Sequence, residues 1–451
     1  MTKTPSFESV STKQQRIAEL AKQNPTMAFT SLNHYLDVAW LREAFHRTRK
    51  DGAPGVDGQT WAEYGENLEE NLPSLLDRAK SGTYRAPPVR RVHIPKGTGT
   101  ETRPIGIPTL EDKVLQRAVT MILEAIYEQD FCDCSYGFRP GRSAHQALDS
   151  LWRQTMGSGG GWILDMDIRK FFDTLDHGHL REFLRHRVRD GVLLRLIGKW
   201  LKAGVMEDGG VSYPESGSPQ GGVISPILAN AFLHYVLDRW FAEEVVPRMK
   251  GRAFLIRYAD DAVMGFTHEE DARRVLAVLP KRFGKYGLTL HPEKTKLVEF
   301  CKPPHDGCPR GGPRGERPGT FDLLGFTHFW ARSRKGNWVV KRKTSQSRFT
   351  RAVRKIAHWC RDHRHRPIAE QHVALSRKLR GHYAYYGITG NSFALNRFRD
   401  QVQYVWRKWL ARRNSKNRPA WDWFHRLRER YRLPYGIAIH SVCRRRREVT
   451  T

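Results

Sequence analysis

A chain of 451 residues with 77 Lys and Arg against 47 Asp and Glu carries a formal charge of +30 and has room for two or three domains with a sizeable core. That charge points to a polyanion, nucleic acid first, and no run reaches the roughly 20 apolar residues that a bilayer span requires. Six scattered cysteines and an N-terminus without an apolar signal core suit a reducing cytoplasm, not a disulfide-built secreted domain.

Residues 7–23 and 32–48 read as helices. Residues 89–95 and 102–107 read as two strands joined by a Gly-rich turn at 97–99, which places Lys96 and Arg103 where two cations reach one triphosphate. Gly157–Gly161 punctuates the chain, and 162–168 then reads as a buried strand with Asp165 and Asp167 on one face. A buried strand keeps two carboxylates together only with a metal or a basic partner. Helices are expected over 180–201 and 228–241, and over 271–286 with Pro280 as a kink or weak point.

Between these helices, 254–258 and 262–266 read as the strands of a tight hairpin, with Asp260 and Asp261 at its tip. An isolated Asp-Asp pair is ordinarily a solvated turn. Asp167 changes that reading, because acids at one strand end and at a neighbouring hairpin tip suffice to hold two metal ions about 4 Å apart. Mg²⁺ prefers such a set of a few carboxylates completed by substrate phosphates.

Residues 302–319 form a Pro/Gly-rich basic segment expected on the surface. Cys301 and Cys308, with His305 between them, read as free thiols in preference to a zinc site, and Cys132-x-Cys134 is too close for a zinc knuckle. From 331 to 451 the chain holds 32 Lys and Arg against 6 Asp and Glu, whereas the first 330 residues hold 45 against 41. Three helical stripes cross this basic quarter: Phe349, Val353, Ile356 and Cys360; Leu375, Leu379, Tyr383 and Tyr386; Phe398, Val402, Val405 and Trp409. Cationic outer faces, including Arg351, Arg354 and Lys355, suit a helical domain that tracks a duplex backbone. Any exposed members of Tyr385, Trp406, Trp421 and Trp423 would stack on bases.

Tyr258-Ala259-Asp260-Asp261 together with Asp167 and Phe172 resembles the palm of a reverse transcriptase. The surrounding blocks resemble the group II intron-encoded reverse transcriptase/maturases of bacterial type: 50–58, 94–96, 103–108, 136–143, 217–226, 291–295 and 323–326, in order, with Arg377–Gly387 similar to the maturase-specific segment. The resemblance runs from about residue 32 to about 427 and implies an α+β right-hand polymerase fold. Fingers and a palm with an antiparallel sheet would precede an all-α thumb/maturase domain. It divides the chain into an N-terminal helical extension and start of the fingers (1–80), fingers and palm (81–330) and a basic helical thumb/maturase domain (331–451, core about 349–427).

The same resemblance implies roles. Asp167, Asp260 and Asp261 would be the catalytic metal-binding triad for two Mg²⁺ ions, with Mn²⁺ as a substitute, and Asp165 a supporting residue. Phe172 would sit under the incoming sugar and exclude ribose while Phe171 serves the core. Lys96 and Arg103 would clamp the triphosphate, Gln220 would contact nucleotide and templating base, and Lys294 would face the nucleotide. Arg351, Arg354, Lys355, Arg377, Lys378 and Arg380 would bind RNA. The implied activity is RNA-directed DNA synthesis combined with binding of intron RNA for splicing and mobility. Its partners would be intron RNA, an RNA template with DNA primer, target DNA and deoxynucleoside triphosphates, with no membrane. The expected location is the bacterial cytoplasm, at the nucleoid when DNA is bound. Without Cys-x-x-Cys pairs after 427, the chain resembles members that lack a C-terminal His-Asn-His endonuclease. A splicing cofactor with a dead polymerase, or a reverse transcriptase put to host defence or repair, are the competing readings.

Overall fold

Capping side chains decide where the first helices begin. The computed structural model describes residues 9–95, 102–207, 210–213, 217, 221–303, 319–413 and 421–440. Helix α1 (Val10–Gln23) starts at Ser9, whose hydroxyl accepts the Thr12 N–H at 3.2 Å. Asp37 caps α2 (Val38–His46) by accepting the Trp40 N–H at 2.8 Å, so the helix expected over 32–48 is split, with a single 3₁₀ turn (Asn33–Tyr35) before the cap.

In chain order there follow α3 (Trp61–Glu66), α4 (Leu68–Ser81), β1 (Val89–Pro95), β2 (Thr102–Ile107), α5 (Leu110–Tyr127), α6 (Ala144–Ser158), β3 (Trp162–Met166), α7 (Phe171–Thr174), α8 (His177–Arg185), α9 (Gly191–Leu201), β4 (Val205–Glu207), β5 (Gly210–Ser212) and α10 (Ser225–Leu233). Next come β6 (Ala253–Tyr258), β7 (Asp261–Phe266), α11 (Glu269–Gly284, Pro280 inside it), β8 (Lys296–Glu299), β9 (Phe321–Leu323), β10 (Phe326–Arg332), β11 (Trp338–Thr344), α12 (Gln346–Asp362), α13 (Ile368–Tyr386), α14 (Ser392–Leu410) and α15 (Trp421–Arg430). The chain forms two compact units, 1–147 with 164–296 and 148–163 with 297–451, a division that cuts across the one expected at 80 and 330.

In the first unit α5 is the central helix, buried on most sides and packed by α1, α2 and α10. The expected two-stranded hairpin is there, antiparallel with Ile94 opposite Arg103, but β1 also pairs in parallel with β4, giving the order β2-β1-β4-β5. Strands of three residues such as β4 and β5 are too short for a period of two to register in sequence. A second sheet is ordered β6-β7-β3 within this unit.

The helix expected over 180–201 is two helices. Asp190 breaks it: its Oδ1 accepts the N–H groups of Val192 (2.9 Å) and Leu193 (3.0 Å) at the start of α9, and its Oδ2 accepts those of Leu32 (2.6 Å) and Asn33 (2.8 Å). The helix expected over 228–241 likewise ends at Leu233 and passes into π-helical turns at His234–Asp238 and Phe241–Val245.

The second unit is not all-α. Residues 331–344 belong to a hairpin, β10 with β11, in a sheet ordered β11-β10-β9, and the helical part starts only at Gln346. Phe326, His328 and Trp330 alternate inward along β10 as a half-buried strand requires. The helices that follow share one core of Ile356, Cys360, Leu375, Leu379, Phe398, Val402 and Trp406. The expected stripes are therefore its inner faces, with one correction: Trp406 is fully buried, its indole N–H donating to Gln371 Oε1 at 2.9 Å, and does not offer a face to bases. No helix among the described residues is long and apolar enough to cross a membrane.

Asp190→Ala leaves four buried or half-buried N–H groups without their acceptor. An unfolding free energy lower by about 3 kcal/mol is expected in urea melts, since each orphaned donor costs about 1–3 kcal/mol and water recovers part of it.

Candidate active site

The turn between β6 and β7 has two residues. Tyr258 pairs with Asp261, so Ala259 and Asp260 form the turn and Asp261 opens β7. Ala259 has φ +58°, a conformation that costs a residue with a Cβ about 1 kcal/mol or more. Something must hold it, and Arg257 does. Its guanidinium is fully buried and donates Nε to Asp238 Oδ1 (2.7 Å), Nη2 to Asp238 Oδ2 (2.5 Å) and Ser135 Oγ (2.8 Å), and Nη1 to Asn230 Oδ1 (2.9 Å) and the Ala259 carbonyl (3.0 Å). Asp238 lies in the π-helical turn after α10 and is also fully buried.

A second support comes from residues 134–137. Cys134 O accepts the Arg257 N–H at 2.8 Å, and the Tyr136 N–H donates to Arg257 O at 2.9 Å, a parallel bridge alongside β6. Gly137 then packs on the turn so closely that a Cβ there would lie 2.3 Å from the Ala259 nitrogen. The Gly137 carbonyl is fixed by Asn230 Nδ2 at 2.7 Å. The sequence pattern assigns no role to Arg257, Asp238, Asn230 or Ser135. The available signal is an arginine inside the apolar run 254–258 of a strand.

Asp167 follows the last residue of β3. Its carbonyl accepts the His291 N–H at 2.8 Å, and the Arg169 N–H donates to Thr289 O at 2.8 Å, so the chain leaving β3 is pinned to residues 289–291. The Asp167 carboxylate meets Lys294, Nζ to Oδ2 at 3.1 Å. Burial pushes the Asp260 carboxyl above the usual carboxylate range and the negative charge of Asp167 adds to the rise, while its own backbone N–H and the cation of Arg103 pull it back. Asp167, Asp260, Arg103 and Lys294 thus act on one locus, which Asp261 borders from the exposed first position of β7. Asp165 lies half-buried inside β3.

The donors are carboxylate oxygens, the chemistry that a hard divalent cation satisfies. They are not closed into a cage: among the described residues no three His, Cys, Asp or Glu side chains are gathered as a metal site, and Lys294 holds Asp167. The residues fit the ion in donor type and charge.

Two loops frame this locus. Phe171 is buried, with Phe232 at 6.3 Å, while Phe172 stays half-buried against it edge-on at 5.3 Å. Gly217 (φ +92°) lies against the backbone of Phe172 and Asp173, where a Cβ would come within 2.8 Å of Phe172 O. Gly221 (φ +112°) packs on Gly106 of β2, where a Cβ would come within 2.5 Å of the Gly106 carbonyl oxygen. Gly217 and Gly221 are thus each seated on a neighbouring backbone, and Gln116 Oε1 accepts the Val223 N–H at 2.8 Å. Gln220 and Lys96 themselves lie outside the described residues, as do Cys308 and His305.

Residues 94–328 match the family model described as reverse transcriptase (RNA-dependent DNA polymerase). The chain belongs to the reverse transcriptase family. It is 34% identical over 328 residues to Protein YkfC of Escherichia coli, covering 64% of this chain and 84% of that one. To the group II intron-encoded protein LtrA of Lactococcus lactis it is 33% identical over 302 residues, 64% of this chain and 50% of LtrA. A putative COX1/OXI3 intron 1 protein of Saccharomyces cerevisiae matches at 28% over 310 residues, 58% of this chain and 37% of the yeast protein. The chain thus spans about half of LtrA, a protein named as group II intron-encoded, and most of YkfC. As a reverse transcriptase it is an RNA-directed DNA polymerase, and such enzymes work with divalent metal ions.

In the second unit of this reverse transcriptase Arg354, Lys355, Arg377, Lys378 and Arg380 are exposed on α12 and α13, whereas Arg351 is half-buried. Lys378 lies 5.4 Å from the Trp359 ring. Of the candidate stacking aromatics, Tyr385 is half-buried with its hydroxyl donating to Leu324 O at 2.8 Å, Trp423 is half-buried, and the side chain of Trp421 lies outside the described residues.

Two outcomes follow from this geometry. Because the folded-state pKa of Asp260 is raised, the metal-free protein is favoured while the carboxyl is protonated and loses stability as pH rises from the ordinary carboxylate value through the raised one. Asp260→Asn should therefore melt higher than wild type in EDTA at neutral pH, by about 2–4 °C per kcal/mol relieved, and the difference should vanish in acid. Arg257→Met strands Asp238 in the core and should cost about 3–5 kcal/mol, read by thermal or urea unfolding.

Proposed function

We propose that this reverse transcriptase combines template-directed nucleotidyl transfer at Asp167, Asp260 and Asp261 with binding of a group II intron RNA that promotes splicing and mobility. The single observation that carries the polymerase half is the buried Arg257–Asp238 clamp on the Ala259-Asp260 turn, beside Asp167. A chain that only assisted splicing would have no use for a strained carboxylate-bearing turn held this way. The relatives named for introns support the intron half.

In the reaction the primer 3′-oxygen attacks the α-phosphorus, the bond to the bridging oxygen breaks and pyrophosphate leaves. Two Mg²⁺ ions bound by the three aspartates, Mn²⁺ being a substitute, would ease loss of the 3′-hydroxyl proton and neutralise charge on the pyrophosphate. Arg103, already within the field of Asp260, and Lys96 bind the triphosphate, Arg as a fork and Lys as a point charge. Lys294 holds Asp167 in the free enzyme and turns to the nucleotide as the site fills. Phe172, half-buried with Gly217 against its backbone, would lie under the sugar and exclude a 2′-hydroxyl. In this reading β1–β5 are fingers, the sheet of β3, β6 and β7 is the palm, and α12–α15 are a thumb whose Arg354, Lys355, Arg377, Lys378 and Arg380, with Arg351, meet RNA. Target DNA is the second nucleic-acid substrate.

Primer extension on an RNA template with Mg²⁺ tests this. Wild type should use deoxynucleotides in strong preference to ribonucleotides. Asp260→Asn should lose at least about 100-fold in rate, roughly 3 kcal/mol of transition-state stabilisation, with RNA binding retained. Phe172→Ala should narrow the sugar preference. A folded wild-type protein without synthesis, but with RNA-stimulated splicing, would replace this reading with the cofactor one.

A further inference from the structure

The first unit carries a second concentration of positive charge outside the acid-bearing turn. Arg181, Arg185, Arg189 and Arg195, with Gly191 and Leu194, line a concavity of about 510 Å³ that opens to solvent. All four arginines are exposed, and none forms an ion pair with a carboxylate among the described residues.

The local sequence shows why. Between Arg181 and Arg195 the acids are Glu182, whose carboxylate lies 3.4 Å from His179 Nδ1, and Asp190. The two oxygens of Asp190 are fully used by the N–H groups of Leu32, Asn33, Val192 and Leu193, and it is buried. It therefore caps α9 and leaves the concavity uncompensated. Arg187, between two of the four, shows what a structural arginine does here. It is buried, pairs with Asp130 at 2.8 Å and donates to the carbonyls of Ala21, Asn24 and Met27. Arg185 and Arg189 flank it and are exposed, Arg189 Nε donating to the Arg185 carbonyl at 3.3 Å. On α8, Arg181 and Arg185 lie one turn apart on the face opposite Leu180, Phe183 and Leu184, which are buried. Arg195 closes the far side from α9, its Nη1 near Gly191.

Four guanidinium forks around one hollow exceed what a single phosphate can satisfy, and each fork fits a phosphate oxygen pair. We propose that this concavity binds the phosphodiester backbone of RNA outside the copying site. The RNA that this enzyme copies is longer than the stretch at the primer end, and the concavity belongs to the same compact unit as the three aspartates.

The experiment compares wild type with the Arg181→Ala/Arg185→Ala/Arg189→Ala/Arg195→Ala protein. It measures binding of a labelled RNA stem-loop and of the DNA stem-loop of the same sequence across a salt series, together with primer extension on a short primer–template. The variant should melt as wild type does and bind the RNA at least tenfold more weakly at low salt. Its log-log salt slope should be shallower by about 2–3, because each lost phosphate contact removes about 0.7–0.9, and kcat/KM on the short substrate should be unchanged. Unaltered RNA affinity and slope would overturn the site. An equal fall in kcat/KM on the short substrate would assign the arginines to the copying path instead. A loss confined to the DNA stem-loop would overturn RNA as the ligand. Failure of Asp260→Asn to abolish synthesis would leave this result untouched, since binding is read separately.

Discussion

The buried pair of Arg257 and Asp238 is the constraint on which the rest of the site depends. Two charges without solvent are costly unless every donor and acceptor finds a partner. Here the guanidinium spends its donors on Asp238, Asn230, Ser135 and the Ala259 carbonyl. Those partners come from α10 with the π-helical turn that continues it and from the segment 134–136, so one cation ties two distant stretches to the hairpin. The return is a two-residue turn kept in a conformation that Ala259 would not choose alone. A hairpin tip free to flex would let two repelling carboxylates drift apart.

Close backbone approach is the second device, and it uses glycine where no Cβ fits. Gly137 seats against Ala259, Gly217 against Phe172 and Asp173, and Gly221 against Gly106. Segments that look unrelated in the sequence, 136–143, 217–226 and 103–108, are thereby one set of contacts around the acids. Each glycine replaces a side chain by a neighbouring backbone, which fixes positions more tightly than a flexible side chain would.

Much of this is legible in the order of the amino acids. The acids, the hairpin that carries Asp260, the pair β1 and β2 and the inner faces of α12–α14 all follow from period and composition. The misses share a cause: a polar residue whose hydrogen-bond partners the periodicity does not reveal. Asp37 and Asp190 break expected helices because each finds backbone N–H groups to cap. Arg342, which the count of basic residues over 331–451 does not set apart, is buried in β11, donates to Leu148 O at 3.1 Å, and burial lowers its pKa to about 10. Trp406 reads as a candidate base platform and is core. Composition gives no way to tell an arginine that holds the fold from one that faces solvent.

That distinction bears on the charge distribution itself. The first 330 residues are nearly neutral by count, 45 basic against 41 acidic, and a reading from net charge sends nucleic acid to the C-terminal quarter alone. The count conceals a sorting. Arg139, Arg187 and Arg257 are buried and paired with Glu128, Asp130 and Asp238, so each consumes an acid as well as a base. Asp190 is consumed by backbone N–H groups alone. The pairs leave the net charge unchanged, but what remains at the surface is uneven: carboxylates at the hairpin tip, and arginines without an ion pair among the described residues between α8 and α9. Electrostatic function in this enzyme follows from which charges the fold leaves over, and that is decided by burial and hydrogen bonding before net charge has any say.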